Sequence, residues 1–374
     1  MRILIAPDKF KGSLTAAEAA AAIAEGALRV YPDAVANQFP IADGGEGTLE
    51  AAVAAGYEER INAVVGPILA PVGAAWAIRK MADGGATAVI ETAQASGLAQ
   101  MEPTPANALR AHSYGCGQLI AAALDAGATE IVLGLGGSAM TDAGSGALRA
   151  LGLKPLDSAG NVVPLGGGSL ADVVSLDTSG LDPRLSAVRF RIAVDVQNPL
   201  YGATGAAHVF GPQKGADEEA VEVLDAGLRN WASLLSGATG RDVNVEGAGA
   251  AGGFPASFLG LANARLEGGF ALVAGLTGLA GQLADADLVI TGEGSMDSQS
   301  LTGKAPIALA DAAREQGIPV IVVAGRILVT PEDLAEHGVV AAAQLLDVAA
   351  GPEDAIAHAA KYLSWATAQV LEGA

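Results

Sequence analysis

The 374-residue chain carries 21 basic and 41 acidic side chains, which gives a formal net charge of −20. A surface this acidic repels nucleic acid and anionic membranes, so we expect neither as a partner. Hydrophobic residues make up 51% of the chain, which excludes a disordered protein, and the length predicts two domains around a large core.

A single cysteine, Cys116, excludes an intramolecular disulfide and indicates a reducing compartment. We interpret it as a small buried residue, with a reactive thiolate at a helix start as the alternative. The N-terminus becomes polar too soon for a signal peptide, and no apolar run approaches the roughly 18 residues of a membrane helix. We therefore expect a cytoplasmic protein.

The first predicted strand, at residues 3–6, leads into a loop with one acid and two lysines. Asp8 and Lys11 lie in this loop at the carboxyl end of the strand, where ligands bind in open α/β sheets. Thr15 and Glu18 then form a capping-box pattern, which predicts the start of a helix.

A second polar loop begins at Asp43 and precedes another predicted helix. Its residues Asp43, Gly44, Gly45 and Glu46 place two carboxylates among glycines, which makes a poor helix start. The same composition suits a metal or hydroxyl site, because glycine lets the backbone close around a ligand. We favour a functional loop over a plain turn.

The central part of the chain differs from both ends. Residues 60–65, 72–78 and 86–91 are β-prone pieces between turn residues, which predicts antiparallel hairpins. Both chain ends alternate strands with helices, which predicts a parallel sheet. Residues 247–253 are rich in glycine and alanine, which indicates a flexible connection.

Residues 131–146 combine an apolar run, a glycine loop and a helical pattern. Gly136, Gly137 and Ser138 follow the predicted strand, and Asp142 precedes the helix. This arrangement points bare backbone N–H groups at an anion, and glycine allows a phosphate to approach closely. A tight turn without a ligand is the alternative, but similar patterns at other strand ends favour a binding site.

Two further predicted strands end in polar loops. Asp195 and Asn198 follow the strand at 190–194, with Lys214 in a later loop. Glu293 and Asp297 follow the strand at 287–291, and Lys304 comes shortly after them. Carboxylates, lysines and bare amides are the groups that phosphoryl transfer requires.

The sequence lacks the motifs of other common enzyme classes. We interpret the four histidines as structural or surface residues, because they have no metal-ligand spacing, and one cysteine cannot build a zinc site. The chain has no G-x-S-x-G elbow, no Walker A loop and no dinucleotide fingerprint after the first strand.

Six ordered motifs resemble those of the bacterial type-1 glycerate kinases, which phosphorylate glycerate at its 2-hydroxyl. The resemblance covers nearly the whole chain. The motifs are Ala6-Pro-Asp-Lys-Phe-Lys-Gly-Ser-Leu14, Ala42-Asp-Gly-Gly-Glu-Gly-Thr48, Gly136-Gly-Ser-Ala139 with Asp142, Asp195 with Asn198-Pro-Leu200, Phe210-Gly-Pro-Gln-Lys-Gly-Ala216, and Thr291-Gly-Glu-Gly294 with Asp297, Gln299-Ser300 and Gly303-Lys304.

The resemblance implies ATP and Mg²⁺ as co-substrate and cofactor. It also implies a two-domain α/β fold with the active site in the cleft between the domains. A flavodoxin-like parallel-sheet domain would comprise residues 1–60 and 285–374, and a second, mixed α/β domain would be inserted at 61–284. We expect a monomer or a homodimer.

Within this set we expect four catalytic groups, namely Asp43, Asp195, Lys11 and Lys214. The two aspartates are alternatives for the base or orienting acid, and the lysines, with Lys304, would neutralise the substrate carboxylate or the phosphoryl group. We expect Glu293 and Asp297 to hold the metal. The expected substrate- and phosphate-binding residues are Asp8, Gly44, Gly45, Glu46, Gly136, Gly137, Ser138, Asp142, Asn198 and Lys304.

Three positions depart from the family pattern. Met140 stands where the family has a small or hydroxyl residue, Ala143 where it has glycine, and Ser295 where it often has arginine. Two alternatives of the same class remain, a glycerate 3-kinase or a kinase of another small hydroxyacid. The alternative of a different class is a non-catalytic regulator that binds a nucleotide or a sugar acid.

Overall fold

The computed structural model describes residues 1–82 and 84–373. In chain order its strands are β1 (Arg2–Ile5), β2 (Val35–Gln38), β3 (Glu58–Val65), β4 (Pro71–Lys80), β5 (Ala86–Glu91), β6 (Glu130–Gly134), β7 (Lys154–Leu156), β8 (Ser175–Asp177), β9 (Arg189–Val194), β10 (Arg265–Gly268), β11 (Leu288–Thr291), β12 (Ser295–Met296), β13 (Val320–Ala324), β14 (Arg326–Ile327) and β15 (Val339–Gln344).

The α-helices are named in the same way. They are α1 (Ala16–Val30), α2 (Thr48–Ala54), α3 (Thr92–Ser96), α4 (Pro105–Arg110), α5 (Tyr114–Asp125), α6 (Ser145–Ala150), α7 (Ala206–Phe210), α8 (Glu218–Thr239), α9 (Ala250–Gly253), α10 (Pro255–Leu261), α11 (Gly269–Thr277), α12 (Leu279–Ala284), α13 (Ala305–Glu315), α14 (Pro331–Glu336), α15 (Pro352–Ala357) and α16 (Ala359–Gly373).

These elements form two compact units, and the chain passes between them after residues 43, 49, 55 and 269. The first unit comprises residues 1–43, 50–55 and those from 270 onward. The second comprises residues 44–49 and 56–269. The domain boundaries expected at 60/61 and 284/285 stay a prediction.

The first unit contains a five-stranded parallel sheet in the order β15-β13-β11-β1-β2. Its central strands are apolar and buried throughout, as strands covered on both faces must be. Alternate residues of β1 enter different core clusters: Ile3 and Ile5 pack with α1 and α16, and Leu4 packs with α13. The predicted parallel sheet is confirmed.

A capping box starts α1, as the spacing of Thr15 and Glu18 predicts. The Thr15 hydroxyl accepts a hydrogen bond from the Glu18 N–H at 3.2 Å, and the Glu18 carboxylate accepts one from the Thr15 N–H at 2.9 Å. The box satisfies N–H groups that the first helical turn leaves without partners.

The second unit contains a mixed sheet in the order β10-β9-β6-β5-β4-β3. The antiparallel pairs β3–β4 and β4–β5 are the predicted hairpins, and the pairs from β5 to β10 are parallel. The turn between β4 and β5 includes Asp83, which lies outside the described residues.

Cys116 has a buried thiol in the second unit, and burial raises its pKa to about 12. It is therefore the unreactive core residue that we expected.

The expectation of a flexible connection at residues 247–253 is wrong. Ala248, Gly252 and Gly253 are buried, and α9 lies within this segment. Gly252 has φ +67, and a Cβ there would lie 2.1 Å from the Met140 carbonyl oxygen. The small residues therefore allow close backbone packing.

Among the described residues, none of the helices combines the length and apolar content that a bilayer crossing needs.

Candidate active site

Three carboxylates of the first unit follow adjacent strands of its sheet, and we call them the acidic cluster. Asp8 follows β1, Asp43 follows β2 and Glu293 follows β11. Carboxyl ends of parallel strands lie at one edge of a sheet, which brings these side chains to the same place. The Asp8 N–H donates to the Gly292 carbonyl at 2.9 Å, which ties the first loop to the third.

Asp8 is 9% exposed, and its Oδ1 accepts a hydrogen bond from the Lys9 N–H at 2.7 Å. Burial, the neighbouring Asp43 carboxylate and the Glu293 carboxylate together raise the pKa of Asp8 to about 7, against the opposing effect of Lys9. A carboxyl group that gains a proton near neutral pH is typical of a functional site.

Glu293 is 8% exposed, and its Oε1 is buried without a hydrogen-bond partner among the described residues. Burial raises the pKa of this carboxyl group, while Ser300 and the Lys304 ammonium lower it. Asp297 also raises it, which places Asp297 and Lys304 within electrostatic reach of Glu293. Asp297 Oδ1 accepts from the Gln299 and Ser300 N–H groups at 2.9 and 3.3 Å.

These groups suit a cation delivered with a nucleotide. Within residues 1–82 and 84–373, no three His, Cys, Asp or Glu side chains form a group that could hold a metal ion. The buried, unpartnered Oε1 of Glu293 nevertheless marks a position where a cation would relieve repulsion. Mg²⁺ bound with phosphates takes few protein carboxylates, so the donor set fits such an ion.

The loop after β6 belongs to the second unit. Leu135 donates its N–H to the Gly44 carbonyl at 3.2 Å, and Ala139 donates its own to the Ser96 carbonyl at 2.8 Å. Between them, Gly136 and Gly137 form a turn, and their two N–H groups make no hydrogen bond among the described residues. Successive unpaired N–H groups form an anion-binding concavity, so we call Gly136, Gly137 and Ser138 the anion loop.

The glycines of the anion loop serve packing as well as access. A Cβ on Gly136 would lie 2.7 Å from the Glu46 backbone nitrogen, and one on Gly137 would lie 2.3 Å from Glu46 Oε1. A Cβ on Gly44 would lie 2.5 Å from the Ala193 Cβ and 2.8 Å from the Gly269 Cα. The glycines at 44 and 136 are therefore required for backbone packing, a reason that the sequence pattern alone does not reveal.

Asp142, one of the expected phosphate-binding residues, has no exposed surface. Its Oδ2 accepts hydrogen bonds from the Ser113 N–H and hydroxyl, both at 2.8 Å, and from the Gly146 N–H at 3.1 Å. Its Oδ1 accepts from the Gly144 N–H at 3.1 Å. The carboxylate fixes the start of α6 against α5.

Lys214 is also buried, at 2% exposure. Its Nζ donates to the Met140 carbonyl at 2.6 Å. Burial lowers the pKa of this ammonium to about 7, and the Asp142 carboxylate opposes the shift. The catalytic role expected for Lys214 stays a prediction, and in this structure its Nζ binds the protein backbone away from solvent.

Asp195 and Asn198 follow β9, as predicted, and Asp195 is exposed. Asp195 Oδ1 accepts from the Gly269 N–H at 2.9 Å. The Asn198 side-chain amide donates to the Thr204 carbonyl at 2.8 Å. Both residues keep a defined position at a strand end.

Glu91 is a buried carboxylate at the end of β5 that the expected site omits. It accepts a hydrogen bond from the Leu49 N–H at 2.8 Å and so holds the segment that carries Glu46. Glu91 could have been predicted as a candidate from the sequence, because it is an acidic residue at a strand end like the other candidates.

The three departures from the family pattern have structural accounts. Ala143 adopts φ +55, a left-handed conformation that glycine adopts without strain. Met140 packs its side chain in the core. Ser295 Oγ accepts from Arg326 Nε at 2.9 Å, so an arginine from β14 lies beside this position.

The chain has carboxylates, lysines and an anion loop in the segments that follow parallel strands. Phosphoryl transfer uses these groups, so the fold and the site indicate an α/β phosphotransferase. The model of the Glycerate kinase family matches residues 3–373, and the chain belongs to this family. Membership makes it a kinase that uses ATP and acts on a small molecule.

Known relatives align along nearly the whole chain. A glycerate kinase of Bacillus subtilis is 46% identical over 97% of this chain and 95% of its own. A glycerate 2-kinase of Escherichia coli is 45% identical over 91% of this chain and 89% of its own. A crystal structure assigned as glycerate kinase 2 from Salmonella typhimurium LT2 has a TM-score of 0.85 at 41% identity, covering 100% of this chain and 98% of that one.

Proposed function

We propose that the protein transfers the γ-phosphoryl group of ATP to the 2-hydroxyl of glycerate and releases 2-phosphoglycerate and ADP. The observation that carries the proposal is the anion loop, in which the successive N–H groups of Gly136 and Gly137 make no hydrogen bond among the described residues. The name of the Escherichia coli relative supports the 2-position.

Each set of groups has a role in this reaction. The anion loop binds phosphate oxygens, because unpaired N–H groups in a fixed backbone stabilise negative charge without reorganising. Lys11 and Lys304 supply positive charge toward the phosphoryl group or the substrate carboxylate. That the loop and the acidic cluster act on the same substrates is part of the proposal.

Glu293 and Asp297 would hold Mg²⁺, which when bound supplies neutralising charge for the phosphates. Asp43 and Asp195 remain the alternatives for orienting the glycerate hydroxyl and accepting its proton. Asp43 lies in the acidic cluster, and Asp195 is held by the Gly269 N–H. Either carboxylate could be placed against a hydroxyl, which is what a general base requires.

A coupled ADP-release assay with D-glycerate, ATP and Mg²⁺ tests the activity, and phosphorus NMR of the product distinguishes the 2-phosphate from the 3-phosphate. We expect Mg²⁺-dependent ADP release and the 2-phosphate. A 3-phosphate would overturn the position, and turnover with another hydroxyacid alone would overturn the substrate. Nucleotide binding by calorimetry without turnover would show a regulator instead.

The assembly state and the absence of nucleic-acid partners stay predictions. Light scattering distinguishes a monomer from a homodimer. The net charge of −20 underlies the expectation of no nucleic-acid binding.

A further inference from the structure

Lys214 has an ionisable amine in a buried position, where a positive charge is unfavourable. It is 2% exposed, and its ammonium donates to the Met140 carbonyl at 2.6 Å. Removing an ammonium from water is costly unless a partner compensates, and here the partners are one carbonyl and the field of Asp142. The hydrogen bond from Lys214 therefore fixes the backbone at Met140.

The held piece of backbone directly follows the anion loop. Ala139, the next residue after the loop, is fixed by its N–H bond to Ser96. Met140 comes next and is fixed through its carbonyl by Lys214. The two anchors limit the paths that the chain can take out of the loop.

Two glycines close off the other sides of the same backbone. A Cβ on Gly252 would lie 2.1 Å from the Met140 carbonyl oxygen, and one on Gly167 would lie 2.0 Å from the Thr141 carbonyl oxygen. Asp142 follows, with four hydrogen bonds to its carboxylate. Close packing and hydrogen bonds thus both hold the backbone at residues 140–142.

We propose that Lys214 is a positioning residue, which sets the direction of the anion-loop N–H groups by holding the Met140 carbonyl and does not contact substrate. The inference rests on the proposed function only in assuming that the anion loop binds phosphate. Its other element, that Lys214 fixes the backbone of the loop, concerns the ligand-free protein and can be tested without any substrate.

The first test replaces the ammonium by a group of similar length that cannot donate. In Lys214→Met, we expect the ¹⁵N–¹H resonances of Gly136, Gly137 and Ser138 to shift in the ligand-free protein. We also expect kcat to fall about 10²-fold, because small displacements of catalytic groups cost this much. Lys154→Met is the matched control, since Lys154 is an exposed partner of Asp177 and should leave both readouts unchanged.

A second variant reaches the same carbonyl without altering the lysine. Gly252→Ala pushes against the Met140 oxygen and should shift the same three resonances, which keeps the test available if Lys214→Met does not fold. Unchanged loop resonances in either folded variant would overturn the proposal. Loss of activity in Lys214→Met with an unchanged spectrum would instead show direct contact with substrate. Shifted resonances in a protein without glycerate kinase activity would refute only the proposed function.

Discussion

Asp8 and Asp43 follow neighbouring parallel strands, and burial together with the Asp43 charge raises the pKa of Asp8 to about 7. Its ordinary value is 3.8, so the folded protein binds a proton more tightly than the unfolded chain does. This contribution to stability is fully present below pH 3.8 and is lost as the pH rises through 7. The acidic cluster therefore destabilises the fold at alkaline pH.

Asp8→Asn should remove that penalty. We expect the variant to be more stable than the wild type by about 2 kcal/mol at pH 8, with no comparable gain at pH 4. Urea denaturation at the two pH values measures the difference. Asp33→Asn is the control, because it removes the same charge from an exposed position outside the cluster. A variant less stable than the wild type at pH 8 would contradict the repulsion described.

Asp142→Asn should destabilise the second unit. Its carboxylate accepts four hydrogen bonds through two oxygens, and an amide would turn an NH₂ group toward N–H donors. We expect a loss of about 3 kcal/mol in the free energy of unfolding. Denaturant titration measures it. Ser113→Ala removes one donor to Asp142 and also the acceptor of the Ala147 N–H, and should cost about 2 kcal/mol; equal losses in the two variants would argue against a central role for the carboxylate.

Gly136→Ala should weaken the packing of the Glu46 segment on the anion loop. The added Cβ would lie 2.7 Å from backbone atoms, which cannot rotate away as a side chain could. We expect a loss of about 2 kcal/mol and a fall in kcat/KM. Gly237→Ala, within α8 and facing open space, should instead stabilise the protein by about 0.5 kcal/mol. Wild-type thermal stability in Gly136→Ala would mean that the loop has room to move.

Asp195→Asn and Asp43→Asn distinguish the two alternatives for the base. The substitution at the base should lower kcat by about 10²-fold or more, because the amide cannot accept the hydroxyl proton. The other substitution should act mainly on KM. Steady-state kinetics with saturating ATP measures both constants. Near-normal turnover of a variant would show that the substituted aspartate is not the base. Near-normal turnover of both variants would show that another group is the base.

The parallel sheet of the first unit was predictable because its central strands β11 and β13 are continuous apolar runs. The strand β13, for example, consists of Val320-Ile-Val-Val-Ala324 and is buried along its whole length. The hairpins of β3 to β5 were predictable from turn residues between β-prone pieces. Such signals are local, so one sequence suffices to find them.

The roles of individual charged residues were not predictable in the same way. Asp8 and Asp142 both lie in loops after strands, yet one contributes to a cluster of charges and the other is buried among N–H donors. The difference comes from Ser113, 29 residues away from Asp142. Lys214 is 74 residues from the carbonyl that it binds. Spacing along the chain cannot show contacts of this kind.

The pairing of β1 with β11 joins residues 285 positions apart, such as Ile3 and Leu288, and the Asp8 N–H extends it by donating to the Gly292 carbonyl. All residues of the second unit precede residue 270, and at that point of synthesis β1 can pair with β2 but not yet with β11. Ile3 and Ile5 can already pack against α1, whereas Leu4 must await α13 before its side of the sheet is covered. Completion of the five-stranded sheet is therefore a late step that depends on contacts between distant parts of the chain.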